Sequence, residues 1–305
     1  MKSTFKKLTG SQVDLEVKLD QKEFLSYYQT VREKALANVH LKGFRPGTAP
    51  KELAEQAIDQ DAVFNEAARN AIRWSLDEIS KDNEWTLIDA PQITVEDSKD
   101  MGITYKARLT LFPEIKLGNY KKIAKKVMAE KKEQKVEPSE ITQALEWIRN
   151  SRKQKEEDKA PELTDEFAKS VGKFQNLEEL KKSVSDGLLA EKNENEKERL
   201  HIKTIEEIIK DSQIDLPEIM IKKTYDNMEK QLGPMFKSSG KSEEEIKKTL
   251  TDRARQNVAS NLVIYKIAQI EKLEPKPEEI ADNGHRDYNY GIVQNQKVFQ
   301  FLENQ

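Results

Sequence analysis

The residues best suited to chemistry in this 305-residue chain lie in one stretch, LKGFRPGTAP, at 41–50. Gly43 and Gly47 open backbone conformations closed to other residues, while Pro46 and Pro50 fix φ and stiffen the turn. Between them stand Phe44 and Arg45, a large apolar group beside a planar cation. Such a pair suits anchoring on another macromolecule. The ring fills a pocket, and the guanidinium makes bidentate bonds to a carboxylate or phosphate. Over residues 32–51, Arg32, Lys34, Lys42, Arg45 and Lys51 face Glu33 alone, a local net of +4 in a chain of net charge −3. A stiff basic loop of this kind is drawn to RNA or to an acidic protein patch. The alternative is that Phe44 tucks under its own helices and the charges are simply solvated.

No other cluster matches a reaction. His40, His201 and His285 are far apart and lack companions at metal-ligand spacing. Gly240-Lys241-Ser242 resembles the end of a phosphate loop, but Met235 stands where that pattern needs its first glycine. A glycine turn followed by a serine helix cap explains it better. With 55 Asp and Glu, carboxylate pairs are too common to single one out. Zero cysteines exclude disulfides, thiolate metal sites and cysteine nucleophiles. We therefore assign no catalytic residue, no metal ligand and no cofactor.

The residues that could act need elements to hold them. Charged residues make up 35% of the chain and apolar ones 36%, a balance that favours elongated helical pieces over one thick globule. No stretch approaches a membrane span, and MKSTFKKLTGSQ has no apolar signal region, so a cytoplasmic location is expected. Val13, Leu15, Val17 and Leu19 alternate with charges, which predicts a half-buried strand. Asp20 and Glu23 form a capping box that opens a helix with Phe24, Tyr27, Tyr28, Val31 and Ala35 at helical spacing. That helix stops near His40. Residues 51–81 read as helical again, and strands follow at 86–96 and 103–111. Residues 1–115 therefore form an α+β domain, an antiparallel sheet with helices on one face.

Beyond Pro113 the pattern changes. The lysine-rich stretch 119–135 reads as a solvated linker or strand edge, and one helix comes after it with Ile141, Ala144, Leu145 and Ile148 on a face. Residues 116–166 thus form a linker segment whose single helix packs on the C-terminal domain. That domain, residues 167–305, reads as elongated and all-α, with helical arms. Asn176 and Glu179 suggest a capping box, 191–199 a charged turn, Pro217 a helix start, Gly233-Pro234 a helix end, and Ser242 with Glu245 another start. A short final helix is expected around Val298, Phe299 and Phe301.

The loop Gly43-Phe44-Arg45-Pro46-Gly47-Thr48-Ala49-Pro50 resembles the signature of the trigger factor family, bacterial ribosome-associated chaperones. The family motif is Gly-Phe-Arg-x-Gly-Lys-x-Pro, and this chain departs from it only at Thr48, where the family usually has lysine. LTLFPEIKLGNYKKI (109–123), LTDEFAKSVGKFQNLEELK (163–181) and IDLPEIMI (214–221) are similar to the family's exit from its N-terminal domain, start of its C-terminal domain and entry to its first arm. One departure is large. Family members usually carry an FKBP-type peptidyl-prolyl isomerase domain before the C-terminal domain, and the polar residues between Asn150 and Pro161 are too few to hold one.

The resemblance implies an ATP-independent chaperone that docks near the nascent-chain exit tunnel, on ribosomal proteins and RNA, and shields unfolded polypeptides. It implies no enzyme activity, no cofactor and no membrane partner, with a weak homodimer as its self-association. The docking residues would be Lys42, Gly43, Phe44, Arg45, Pro46, Gly47 and Pro50. Client contacts would fall on Ile219, Tyr225, Met228, Leu232, Met235, Phe236, Leu262 and Tyr265, where flexible methionines adapt to varied partners. The same stripes would serve equally for packing between helices. Two other readings are a peptidyl-prolyl isomerase, by family membership, and an RNA-binding protein without chaperone activity.

Overall fold

The computed structural model describes residues 1–45, 48–97, 102–152, 160–237, 242–280 and 285–305. The chain divides into two compact units. One comprises residues 1–116 and 214–259, the other residues 117–213 and 260–305.

The first unit is built on a four-stranded antiparallel sheet. Its strands are β1 (Lys2–Leu8), β2 (Gln12–Leu19), β3 (Gln92–Asp97) and β4 (Ile103–Thr110), in the order β1-β2-β4-β3. Alternation decides which face is dry. Val13, Leu15, Val17 and Leu19 of β2 pair in register with Leu109, Ala107, Tyr105 and Ile103 of β4, and all eight are buried. Helices α1 (Gln21–Asn38) and α3 (Gln60–Asp82) close that face with Phe24, Ala67, Ala71, Ile72, Leu76 and Ile79. The expected capping box starts α1: Asp20 accepts from the Glu23 amide at 3.0 Å and Glu23 accepts from the Asp20 amide at 2.9 Å. Inside the core the Tyr105 hydroxyl lies 2.7 Å from Ser75 Oγ, so neither polar group is stranded. Burial pushes the Tyr105 phenol up to about 12.

Helix α2 (Lys51–Ala57) is separate from α3, because Asp59 accepts from the Ala62 amide at 3.0 Å and begins a new helix. The unit is completed by α8 (Glu218–Lys237) and by residues 243–259 of α9 (Glu243–Glu271). Asp215 also joins it, accepting from the amides of Gly10 and Ser11 at the β1–β2 turn. Gly10 and Ser11 both have positive φ, 72° and 53°. Residues 214–259 thus group with the N-terminal residues rather than with a helical C-terminal domain.

The second unit is helical: α4 (Tyr120–Met128), α5 (Pro138–Ser151), α6 (Asp165–Val171), α7 (Leu177–Lys210), residues 260–271 of α9, and α10 (Arg286–Glu303). Helices α4, α5 and α6 all pack on α7. Leu145, Phe167, Ala168 and Leu180 form one buried cluster there, flanked by Ile141, Ile148 and Val184.

Four sequence expectations change here. The lysine-rich 119–135 contains a helix, because Ile123, Ala124, Val127 and Met128 share a face and four lysines occupy the other. Gly118 permits its start, since a Cβ there would lie 1.9 Å from Asp211 Oδ2. The charged stretch 191–199 is no turn but the middle of α7. Its charges are used: Lys192 bonds Glu140 at 2.6 Å, and the buried Glu196 bonds Arg199 at 2.8 Å and the Lys132 amide at 3.0 Å. The Arg199 guanidinium, followed by that amide, holds the Glu196 carboxyl down to about 2. Helix α8 continues through Gly233 to Lys237. A proline costs a helix one backbone bond and kinks it without always ending it. The final helix spans 18 residues, anchored by Val298 and Leu302, both fully buried.

Candidate docking loop and client surface

The loop at 41–50 is held by the ends of two helices. Val39 leaves α1 in an extended conformation, and Pro50 accepts from the amides of Leu53 and Ala54, both at 3.0 Å, to start α2. Arg32 on α1 bonds Glu55 on α2 at 2.6 Å, which clamps the two supports together. Within the loop the Phe44 amide donates to the Leu41 carbonyl at 3.1 Å, and Thr48 donates to the Arg45 carbonyl through its amide at 3.0 Å and its hydroxyl at 2.8 Å. Gly43 has φ +93°, a region that L side chains rarely adopt, so glycine is required there.

This backbone turns the side chains outward. Lys42, Arg45, Thr48 and Pro50 are exposed, and Phe44 is 42% exposed rather than tucked beneath α1 or α3. Pro46 and Gly47 lie outside the described residues. Sequence reasoning did not single out Leu53. It stands exposed on α2 beside the loop, while its neighbour Ala54 is buried. Only the one-residue offset from Ala54 could have signalled this.

The candidate client residues divide. In the first unit Ile219, Tyr225, Met228 and Leu232 are half-buried on α8, and Met235 is 63% exposed. Phe236 is half-buried, its ring 5.5 Å from the Arg253 guanidinium. In the second unit Tyr265 is exposed, but Leu262 is only 3% exposed and belongs to the core. Leu262 is corrected to a packing residue: on a helix with two apolar faces, spacing alone does not say which one is covered. Several exposed apolar residues of the second unit were missed: Trp147 on α5, Leu189 and Ile202 on α7, Ile270 on α9, Tyr288 and Ile292 on α10. Trp147 and Tyr288 are more than two-thirds exposed.

Among the described residues no group of three or more His, Asp or Glu could hold a metal, and no helix is long and apolar enough to cross a membrane. An exposed Phe-Arg loop thus stands on the small α+β unit, and long charged helices present scattered apolar side chains. Family models described as "Bacterial trigger factor protein (TF)" and "Bacterial trigger factor protein (TF) C-terminus" match residues 1–148 and 176–305. The chain belongs to the trigger factor family.

Among its relatives is the trigger factor of Clostridium botulinum (strain Hall), 23% identical over 368 residues, with 88% of this chain and 86% of the relative covered. That of Clostridium tetani is 22% identical, with 92% and 88% covered. Since 88% of 305 residues is about 268, about a hundred of the 368 aligned positions face gaps in this chain. A solved structure described as "Promiscuous Substrate Recognition in Folding and Assembly Activities of the Trigger Factor Chaperone" matches with a TM-score of 0.61 at 17% identity, over 100% of both chains. That is a likeness of fold.

Proposed function

We propose that this protein is an ATP-independent holdase of the cytoplasm that docks beside the nascent-chain exit tunnel and lacks prolyl isomerase activity. Residues 42–50 make the contact, on ribosomal RNA and exit-tunnel proteins together. The observation that carries this reading is the exposed pair Phe44 and Arg45, on a loop whose backbone requires Gly43 at φ +93°. An aromatic and a guanidinium offered side by side make a typical interface anchor. Thr48 replaces the family's lysine and removes one cation from the contact.

Clients are unfolded nascent polypeptides, bound through many weak apolar contacts that need neither nucleotide nor metal. Ile219, Tyr225, Met228, Leu232, Met235, Phe236 and Tyr265 supply part of that surface, with Trp147 and Tyr288 added. The total of about a hundred aligned positions that face gaps in this chain supports the absence of an isomerase domain. Cosedimentation with ribosomes, paired with suppression of client aggregation in the absence of ATP, tests the reading. Salt-sensitive binding to protein-free RNA with no effect on aggregation favours an RNA-binding protein instead.

A further inference from the structure

The two edges of the four-stranded sheet differ in kind. Outer strand β1 carries Lys2, Lys6 and Lys7, the kind of charge that blunts an edge against further pairing. Outer strand β3 carries Ile93 and Val95, and its charges, Glu96 and Asp97, are confined to its last two residues. Ile93 and Val95 pair with Ala107 and Tyr105 of β4, so they point to the sheet's dry face. Their β4 partners are buried, yet Ile93 is 41% and Val95 49% exposed. The helix layer covers β2 and β4 and stops short of β3.

The uncovered strip opens into a groove of about 930 Å³, lined by Ile72 and Leu76 of α3, Trp85, Leu87, Ile93 and Val95. Its charged lining is Arg69, Arg73 and Lys81 against Asp77, Glu84. Arg69 is already bonded to Glu66 at 2.9 Å, so the remaining charges of the lining balance. A rim without net charge over an apolar floor matches an uncharged, apolar occupant. The strand edge adds a second requirement. Among the described residues β3 pairs with β4 alone, which leaves a row of backbone donors and acceptors facing outward. A register shift between Val95 and Asp97 ends the regular ladder, so the usable edge is residues 92–95, about 13 Å at ~3.3 Å per residue.

We propose that residues 92–95 and the adjoining groove take an extended, uncharged segment of an unfolded polypeptide as a fifth strand of the sheet. Main-chain hydrogen bonds hold the segment whatever its sequence, and alternate side chains enter the groove over Ile93 and Val95. This gives the sheet of the first unit a client site separate from the apolar residues of α8. It rests on the client-binding reading above and names the conformation and chemistry that one part of the surface selects.

The test uses the full chain and two synthetic hexapeptides of alternating valine and threonine, one unmodified and one N-methylated on alternate amides. The unmodified peptide should bind, and should slow hydrogen exchange at residues 92–95. N-methylation should weaken binding at least tenfold, because it removes donors without removing apolar surface. Val95→Lys should weaken it comparably, whereas Thr94→Lys, on the opposite face of the same strand, should not. Equal affinity for both peptides, or no protection at residues 92–95, overturns the proposal, and neither result depends on a variant that folds. Protection of these residues without peptide, rising with protein concentration alongside a dimer in sedimentation, also overturns it in favour of edge pairing between two copies. Aggregation suppression measured in parallel keeps the two ideas apart. If wild type protects an unfolded client while the peptides fail these criteria, the groove is wrong and the chaperone reading stands.

Discussion

Ser11 and Asp215, 204 residues apart in sequence, are bonded twice: the Ser11 amide donates to Asp215 Oδ2 at 2.7 Å, and the Ser11 hydroxyl donates to the Asp215 carbonyl at 2.6 Å. The Gly10 amide donates to the other carboxylate oxygen at 2.8 Å. Two successive amides that converge on one anion form a nest, and positive φ at both residues aims them there.

Asp215→Ala should therefore destabilise the protein by about 1–2 kcal/mol, the usual range for losing exposed, charge-assisted hydrogen bonds. Asp215→Asn, which keeps one acceptor oxygen, should fall between. Chemical denaturation monitored at the tryptophans measures both. An unchanged midpoint for Asp215→Ala would show that the turn holds without its carboxylate.

Replacing Phe44 or Arg45 with alanine should cost about 2 kcal/mol of ribosome affinity each, roughly thirtyfold. The melting temperature should barely move, since exposed positions usually change stability by less than about 0.5 kcal/mol. Cosedimentation and a thermal melt of the same preparations check the pair of outcomes. A sharply lowered melt would mean that Phe44 is a packing residue after all.

Thr48→Lys restores the family's cation on an exposed loop residue. It should strengthen ribosome binding modestly, and more at low salt, because free charges are screened within about 8 Å at physiological ionic strength. Binding measured across a salt series reads this directly, and a gain that ignores salt would argue against a charge contact.

Glu196 gives the second unit an acid limit. Its carboxyl is depressed from 4.5 to about 2 by the Arg199 guanidinium and the Lys132 amide. A folded-state value below the unfolded one adds stability above about 4.5, and that part is lost as pH falls toward about 2. Glu196→Gln should be less stable at neutral pH and should lose less between those two values. Denaturation midpoints at several pH values compare the two proteins, and parallel curves would rule Glu196 out as the titrating group.

A proline-containing test peptide should isomerise at the uncatalysed rate, tens to hundreds of seconds at 25 °C, with the protein at catalytic concentration. A protease-coupled assay, free of host isomerases, measures it. Clear acceleration would return the chain to the enzymes.

Much of the first unit was legible because its apolar residues alternate without interruption. Val13 to Leu19 and Ile103 to Leu109 each announce a strand and a face, and Asp20 with Glu23 announces the helix between. Strand β1 was missed because KSTFKKL offers only Phe5 and Leu8 among polar residues, three apart and so outside a period-two pattern, and an edge strand needs little more. Helix α4 was missed because its four lysines mask the face of Ile123, Ala124, Val127 and Met128, although those four residues suffice to seat one short helix on α7. The turn at Gly43 was readable, because the conformational freedom of a glycine acts locally. The client surface was not, because exposure of Met235, Tyr265 or Leu262 depends on which neighbour arrives, and spacing within one helix carries no record of that.

Helix α7 has 34 residues and is about 51 Å long at ~1.5 Å per residue. Three helices that pack on it, α4, α5 and α6, precede it in the chain, and α10, which follows it, also touches it through Phe299 stacked on His201. During synthesis the apolar faces of α4, α5 and α6, among them Val127, Leu145 and Phe167, lack the surface that α7 supplies until α7 is made. About eighty residues separate the end of α4 from the end of α7, or ~4–16 s at ~5–20 residues per second. For that interval a member of a chaperone family is itself an unfinished client, with the same kind of exposed apolar helix that it is built to shelter in others.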